Sequence, residues 1–242
     1  MEIFWRTIAY YNSATWILQI LIVLLGFALT AMLVRKPLPR VKIAMKLYMI
    51  ALYSWIAVAY YFIYCEERSY NGVMAMFWGV MAVIWIWDLI TGYTTFERMH
   101  KYDALSYFLL AMPFVYPLVS LARGLEFPEM TSPVMPCSVV VFTIGLLLLF
   151  ARKVNMFLVL FLCHWSLIGL SKTYFFRIPE DFLLASATIP GLYLFFREYF
   201  LNNLHADTKP KAKYINWLLL FVCVGVAVLL TGTLFLELTT KS

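Results

Sequence analysis

The chain contains a series of continuous apolar runs, most of them about as long as a bilayer is thick, and these runs limit the fold more than any other feature. A helix that crosses the hydrocarbon core needs about 20 mainly apolar residues. We identify eight candidate spans, at residues 12–34, 43–64, 72–93, 104–121, 134–150, 156–171, 182–196 and 214–236. The middle four are short or interrupted by proline, so seven spans with one re-entrant segment is the alternative.

The composition excludes an ordinary soluble globule. Of the 242 residues, 64% are apolar and 13% are charged, whereas a soluble domain is about half apolar and about a quarter charged. The apolar runs lack the alternating pattern of barrel strands, and a helix satisfies its backbone polar groups within itself. The sequence therefore predicts an all-α, polytopic transmembrane bundle that forms a single integral membrane domain over residues 1–242.

The basic residues predict how this bundle is oriented. Lys and Arg are retained in cytoplasmic connections during insertion. With eight spans, thirteen of the 19 Lys and Arg residues fall in the odd-numbered connections and six on the other side. This asymmetry predicts cytoplasmic odd connections and extracytoplasmic termini, and removing one middle span would abolish it. Because the basic residues are dispersed over short loops, nucleic-acid binding is not expected.

Ionisable groups at membrane depth are costly and are therefore candidate functional residues. Asp88 lies near the cytoplasmic end of the third span, where it either binds a proton or cation or is a structural carboxylate bonded to a Trp N–H or to Arg98. His164 lies near the centre of the sixth span, and Ser171 and Lys172 follow on the same helix face. This stripe is either a proton relay or ligand contact, or a buried histidine bonded to a neighbouring helix.

The cysteines give no recognisable metal site. Cys163 is adjacent to His164, but the two side chains point about 100° apart on a helix, and the chain has neither C-x-x-C nor H-x-x-x-H. We therefore predict no metal and no cofactor. Cys65 and Cys137 are both expected at the outer surface, and the sequence leaves open whether they pair.

Prolines interrupt two of the central spans. Pro113 and Pro117 lie four residues apart in the fourth span, and Pro190 is followed by glycine in the seventh. Proline removes a helical hydrogen bond and bends the helix. Interrupted spans often surround the substrate site of a transporter, although paired prolines also occur as purely structural kinks. The prolines therefore favour a cavity among the central helices without establishing one.

Several short strings resemble a known family. They are Tyr11-Asn12 with Trp16 and Gln19, Pro136 followed by residues 142–148, His164-Trp165, and residues 178–181. This pattern resembles a family of uncharacterised bacterial multi-pass membrane proteins that is defined only as a domain of unknown function. The similarity extends over about residues 5 to 200. The resemblance implies the inner (cytoplasmic) membrane of a bacterium, and it supplies no activity, cofactor or catalytic residue. On the residues alone, Asn12 and Gln19 are also expected to make interhelical hydrogen bonds.

Three functions are compatible with these features. The first is a small transporter or channel-like protein for a small solute or ion, with a site between the kinked spans and the His164 face. The second is a non-catalytic membrane partner or assembly protein that binds another protein. The third is a membrane-embedded enzyme that acts on a lipid through His164 and an outer carboxylate such as Glu180 or Asp181. No recognisable catalytic motif favours the enzyme.

Overall fold

The computed structural model describes residues 2–68, 70–98, 100–175 and 180–204. Within these residues the chain is helical and contains no β-strand. The helices are α1 (Glu2–Arg35), α2 (Pro39–Trp55), α3 (Asn71–Thr91), α4 (Asp103–Ala122), α5 (Pro136–Phe150), α6 (Met156–Phe175), α7 (Asp181–Ser186) and α8 (Thr188–Leu204). The all-α class expected from the sequence is therefore confirmed.

A π-helix follows α2, and a 3-10 turn precedes α4. α2 continues without a break into a π-helix, Ile56–Tyr64, which ends in a turn at Cys65. A single 3-10 turn, His100–Tyr102, leads into α4. π-helical segments are rare and occur frequently at functional sites. The segment that the sequence predicts as one second span is thus a composite helix, Pro39–Tyr64.

Four helices of the described chain are long and apolar enough to cross a membrane. They are Ile3–Arg35, Pro39–Tyr64, Asn71–Thr91 and Asp103–Ala122. α5 is a shorter apolar helix of 15 residues, and the predicted seventh span consists of the separate helices α7 and α8. The predicted eighth span, 214–236, lies outside the described residues. The structure thus supports a membrane-compatible helical fold.

The outward face of α1 is apolar and exposed, which suits contact with lipid better than contact with water. Only 22% of the most apolar part of α1 is buried inside the protein. Its outward side chains include Leu18, Leu21 and Leu25, each about half exposed. A continuous apolar surface of this length would promote aggregation in water. In a bilayer the same face is solvated by acyl chains.

α5 occupies the centre of the bundle. Thirteen of its 15 residues are buried, and it packs against α4, α6, α7 and α8. At Gly145 an added Cβ would lie 3.0 Å from the backbone nitrogen of Leu110 and 3.1 Å from the carbonyl oxygen of Ser106. The glycine therefore lets the backbones of α4 and α5 approach closely, as small residues do in membrane helix packing.

The interruption of the predicted seventh span lies slightly earlier than the sequence suggests. The sequence places it at Pro190, whereas the structure separates α7 from α8 at Ala187. Pro190 lies in the first turn of α8. A helical proline cannot donate to the carbonyl four residues earlier and crowds it; here that carbonyl belongs to Ser186, the last residue of α7. Pro190 therefore favours the end of α7, because it leaves the Ser186 carbonyl without its usual helical donor.

Candidate functional site

A cavity of about 510 Å³ lies between α1, α2, α4 and α5. This size is within the range of about 300–1,000 Å³ that is typical of small-molecule sites. α1 contributes one continuous face to it, and Pro113 is among the residues that α4 contributes. The lining residues are Val23, Gly26, Phe27, Thr30, Ala31, Val34, Arg35, Tyr48, Leu52, Tyr107, Leu110, Ala111, Pro113, Phe114, Pro133, Val134, Val139 and Phe142.

A second cavity, of about 390 Å³, adjoins the first toward the N-terminal end of α1. The two cavities share Val23 and Pro133, and Pro117 of α4 lines the second. Together they follow α1 from Asn12 to Arg35, a length of about 35 Å at 1.5 Å per residue. We call this combined space the α1 groove. It is about as long as the hydrocarbon core is thick.

The α1 groove lies beside α1 on the side away from the helices against which α1 packs. α1 packs against α2 and its π-helical continuation, where Gly26 receives the ring of Tyr48. A Cβ at Gly26 would lie 2.8 Å from the Cζ atom of Tyr48, and the Tyr48 hydroxyl donates to the carbonyl oxygen of Ile22 at 3.2 Å. This contact fixes α1 against α2 and leaves its other side open toward α4.

The two ends of the α1 groove differ chemically. Arg35 lines one end and is exposed. At the other end, the Asn12 amide donates to the carbonyl oxygens of Pro128 at 2.8 Å and Met130 at 2.7 Å. The Gln19 amide donates to the Asn12 side-chain oxygen at 3.2 Å. Asn12 therefore holds the connection between α4 and α5, where the sequence predicts a bond to another helix.

Asp88 lies outside the α1 groove in a buried ion pair with Lys46. Its side chain is fully buried, and the Lys46 ammonium lies 2.8 Å from Oδ2. Oδ1 accepts hydrogen bonds from the Thr94 backbone N–H at 3.0 Å and hydroxyl at 2.6 Å. Arg98, the partner that the sequence suggests, pairs instead with Asp103 at 2.8 Å. Both oxygens of Asp88 are thus engaged by the protein itself.

The Asp88 cluster joins three parts of the fold. Lys46 belongs to α2 and also donates to the backbone oxygen of Asp88 in α3 at 3.0 Å. The Thr94 hydroxyl accepts a hydrogen bond from the backbone N–H of Asn155 at 3.1 Å, in the connection between α5 and α6. One signal for this pair is present in the sequence: opposite charges lie near the same end of two consecutive spans. Sequence reasoning missed it because it counted Lys46, near the start of the second span, among the cytoplasmic basic residues that set the orientation.

His164 belongs to an aromatic cluster on α3 and α6. It is half-buried, and its ring centroid lies 6.1 Å from that of Phe77. Phe77 also lies 5.2 Å from Trp165. His164 lines neither part of the α1 groove. Ser171 and Lys172 belong to the same helix, but their side chains fall outside what the structure describes.

A second ion pair, in which only the carboxylate is buried, joins the end of α4 to the start of α7. The Arg123 guanidinium donates to both oxygens of Glu180, at 2.6 Å and 2.7 Å. Ser120 donates to the same carboxylate at 3.0 Å, and Glu180 is fully buried. Sequence reasoning named Glu180 as an outer carboxylate and did not identify its partner. A lipid-acting enzyme would require Glu180 or Asp181 at a cavity, and the structure commits Glu180 to Arg123.

The described residues contain no group of three or more His, Cys, Asp and Glu side chains placed to hold a metal ion. Cys163 is buried in α6. Cys65 is buried at the end of the π-helix, and Cys137 is half-buried in the first turn of α5.

Comparison with known proteins adds a family but no activity. Neither the curated proteins nor the solved structures gave a match. The family comparison matched residues 1–206, which include every helix described above. The chain belongs to a family of unknown function, DUF6064.

Proposed function

We propose that this chain is a multi-pass membrane protein that binds an anionic amphiphile in the α1 groove, with the apolar chain of the ligand along α1 and its charged head at Arg35. The observation that carries the proposal is the continuity of the groove from Asn12 to Arg35. An elongated apolar molecule fits a space of this shape, and a bilayer supplies such molecules in abundance.

The chemistry of the lining favours an apolar ligand chain. The main cavity is lined mostly by apolar side chains and by no acidic one. Two of its hydroxyl groups are already committed to α1: Thr30 donates to the carbonyl oxygen of Gly26 at 2.8 Å, and Tyr48 donates to that of Ile22. A bare ion or a small polar solute needs several oxygen or nitrogen partners. The lining offers few, so it is poorly suited to such a ligand.

The charge at the Arg35 end favours an anionic head. Arg35 is followed by Lys36, Arg40 and Lys42 in and just after the connection to α2. Basic clusters at the membrane surface attract anionic lipid head groups. Charge complementarity therefore selects an amphiphile with a carboxylate or phosphate head, lying with that head at the α1–α2 connection.

We therefore propose that the protein transports this amphiphile, in place of the small solute or ion considered from the sequence. We also propose eight crossings with both termini outside, in the inner membrane of a bacterium; the distribution of Lys and Arg supports this arrangement. Neither Asp88 nor His164 lines the groove, so neither is part of the proposed site. Pro113 and Pro117 do line it, and they support a cavity beside the kinked fourth span.

Photo-crosslinking in membranes tests the proposal with matched variants. The probe is a long-chain fatty acid with a photoreactive group in its tail, and wild-type protein should be labelled on α1 and α4. Ala31 lines the groove, whereas Ala28 lies three residues earlier on the exposed face of α1. Ala31→Trp should reduce labelling to the level seen without irradiation, because the indole fills the space, and Ala28→Trp should not.

The head group is tested in the same assay. Arg35→Gln should weaken labelling, and Lys153→Gln, which changes an exposed lysine that lines neither cavity, should leave it unchanged. Equal labelling of the Ala31→Trp and Ala28→Trp proteins would contradict the proposal. If, in addition, another protein co-purified at constant stoichiometry, the assembly-partner hypothesis would replace it.

A further inference from the structure

The polar end of the α1 groove is built around Gln19. This residue lines the second cavity, and only 6% of it is exposed. Both hydrogen atoms of its amide nitrogen are used within α1: the nitrogen donates to the side-chain oxygen of Asn12 at 3.2 Å and to the hydroxyl of Thr15 at 2.9 Å. These two bonds fix the plane of the amide and therefore also the direction of its oxygen.

The amide oxygen of Gln19 is left as an acceptor. Among the described residues no group donates a hydrogen bond to it, although the nitrogen of the same side chain makes two bonds. It is not one of the unpaired polar atoms that the protein seals off completely, so it stays accessible from the cavity that Gln19 lines. A carbonyl without a hydrogen bond in apolar surroundings is unfavourable. A ligand that brings a donor to this oxygen is therefore favoured.

Ser132 supplies a donor at the same cavity. It lies in the connection between α4 and α5 and lines the second cavity together with Gln19. Its hydroxyl oxygen accepts from the backbone N–H of Val134 at 3.3 Å, and in the described part of the chain the hydroxyl donates to no group. Asn12 ties the two sides together, because its amide donates to the carbonyl oxygen of Met130, two residues before Ser132.

The second cavity thus offers an acceptor and a donor, and no charged side chain lines it. A carboxylate there would place its negative charge beside the Gln19 oxygen, and an ammonium group would find no carboxylate. A hydroxyl group matches both residues, because it donates one hydrogen bond and accepts others. The polar group that suits this end of the α1 groove is therefore a neutral hydroxyl.

We infer that the amphiphile in the α1 groove carries a hydroxyl group at the end of its chain remote from the charged head, and that this hydroxyl donates to Gln19 and accepts from Ser132. The inference rests on the proposed function and narrows its ligand to a terminally hydroxylated anionic amphiphile. Gln19 and Arg35 are 16 positions apart on α1, or about 24 Å at 1.5 Å per residue. An extended long-chain acid fits this distance, with its carboxylate at Arg35 and its terminal hydroxyl at Gln19.

Competition against the photoreactive fatty acid tests the inference in membranes. The competitors are palmitic acid, ω-hydroxypalmitic acid and α-hydroxypalmitic acid, in which the hydroxyl lies next to the carboxylate. The two hydroxy acids contain the same atoms and differ only in the position of the hydroxyl. The ω isomer should block labelling of the wild type at a concentration about tenfold lower than the α isomer, because only the ω isomer forms the hydrogen bonds at Gln19 and Ser132.

Variants of the two residues should remove this preference. Gln19→Met keeps the size of the side chain but removes the acceptor oxygen, so the two isomers should block labelling at the same concentration. Ser132→Ala removes the donor and should reduce the preference several-fold, and it decides the test if Gln19→Met does not fold. The matched control is Ser13→Ala, which changes an exposed residue of α1 that lines neither cavity. It should keep the preference of the wild type.

The outcomes separate this inference from the proposed function. If none of the three acids blocks labelling, both are wrong. If palmitic acid blocks labelling but the wild type does not prefer the ω isomer, the α1 groove binds an amphiphile and the terminal hydroxyl is wrong, because water then satisfies Gln19. A preference that survives undiminished in folded Gln19→Met protein, or in Ser132→Ala when Gln19→Met does not fold, would also overturn the inference and leave the proposed function standing.

Discussion

Separating the buried partners Lys46 and Asp88 should strongly destabilise the protein. Removing one member of a buried ion pair leaves an uncompensated charge and costs about 3–5 kcal/mol. In Lys46→Met the Asp88 carboxylate keeps its two hydrogen bonds from Thr94, and in Asp88→Asn the Lys46 ammonium keeps the backbone oxygen of residue 88. Because these contacts remain, we expect each single substitution to lower the free energy of unfolding by about 3 kcal/mol, the smaller value of that range.

The double variant Lys46→Met, Asp88→Asn should cost less than the two single changes together. It leaves no unpaired charge, and the amide oxygen at position 88 still accepts from Thr94. We expect a total loss of about 2 kcal/mol and a coupling energy of about 4 kcal/mol between the two positions. A double-mutant cycle measures that coupling directly.

The assay is reversible unfolding of the purified chain in mixed micelles of increasing SDS content. Lys42→Met is the matched control, because Lys42 lies one turn earlier on α2 in no ion pair that the structure describes; it should change stability by less than about 0.5 kcal/mol. Additive single effects, with a coupling energy below about 1 kcal/mol, would refute a stabilising role for the Lys46–Asp88 pair.

Two further predictions concern helix packing and topology. Gly145→Ala should reduce the stability of the detergent-solubilised protein by about 1–3 kcal/mol, since the new methyl group meets the α4 backbone. Gly79→Ala, with nothing within 4 Å of the added Cβ, should be neutral or stabilising by up to about 1 kcal/mol; equal losses would contradict the packing argument. Phosphatase reporters, which are active only outside the cytoplasm, should be inactive when fused after Lys36 and active when fused after Tyr70 and after Lys241. An inactive fusion at Lys241 would contradict eight crossings.

The helical class could be predicted from local sequence because it depends on continuous apolar runs. The same holds for the start of α5 near Pro136 and for the end of α1 at Arg35, since both depend on residues that are neighbours in the chain. The start of α1 was not predicted: the helix begins at Glu2, ten residues before the predicted span. The π-helix could not be predicted, because its residues, Ile56–Tyr64, form an apolar run that fits an α-helix equally well. The π-helix packs against α3 and α1, and local sequence does not specify these contacts.

The candidate sites were harder to predict because they join distant residues. Arg123 and Glu180 are 57 positions apart, and Lys46 and Asp88 are 42 apart. In one sequence each basic residue of these pairs looks like a topology signal, and its pairing with a buried carboxylate becomes visible only when the helices are packed. Pro113 and Pro117 of the fourth span line the α1 groove, whereas Pro190 and His164, which the sequence grouped with them, do not. The face of α1 opposite the fourth span gave no signal, because its residues are ordinary apolar ones.

The enclosure of α5 has a consequence for how the protein is made. At about 22 Å, α5 is shorter than the hydrocarbon core, yet it meets mostly protein and therefore experiences little hydrophobic mismatch with the bilayer. During synthesis α4 emerges before α5, whereas α6, α7 and α8 emerge after it. Until those later helices arrive, one side of α5 is bare. A chain that ends before α6 would leave that side of α5 without its protein partners, so the later helices complete the burial of an earlier one.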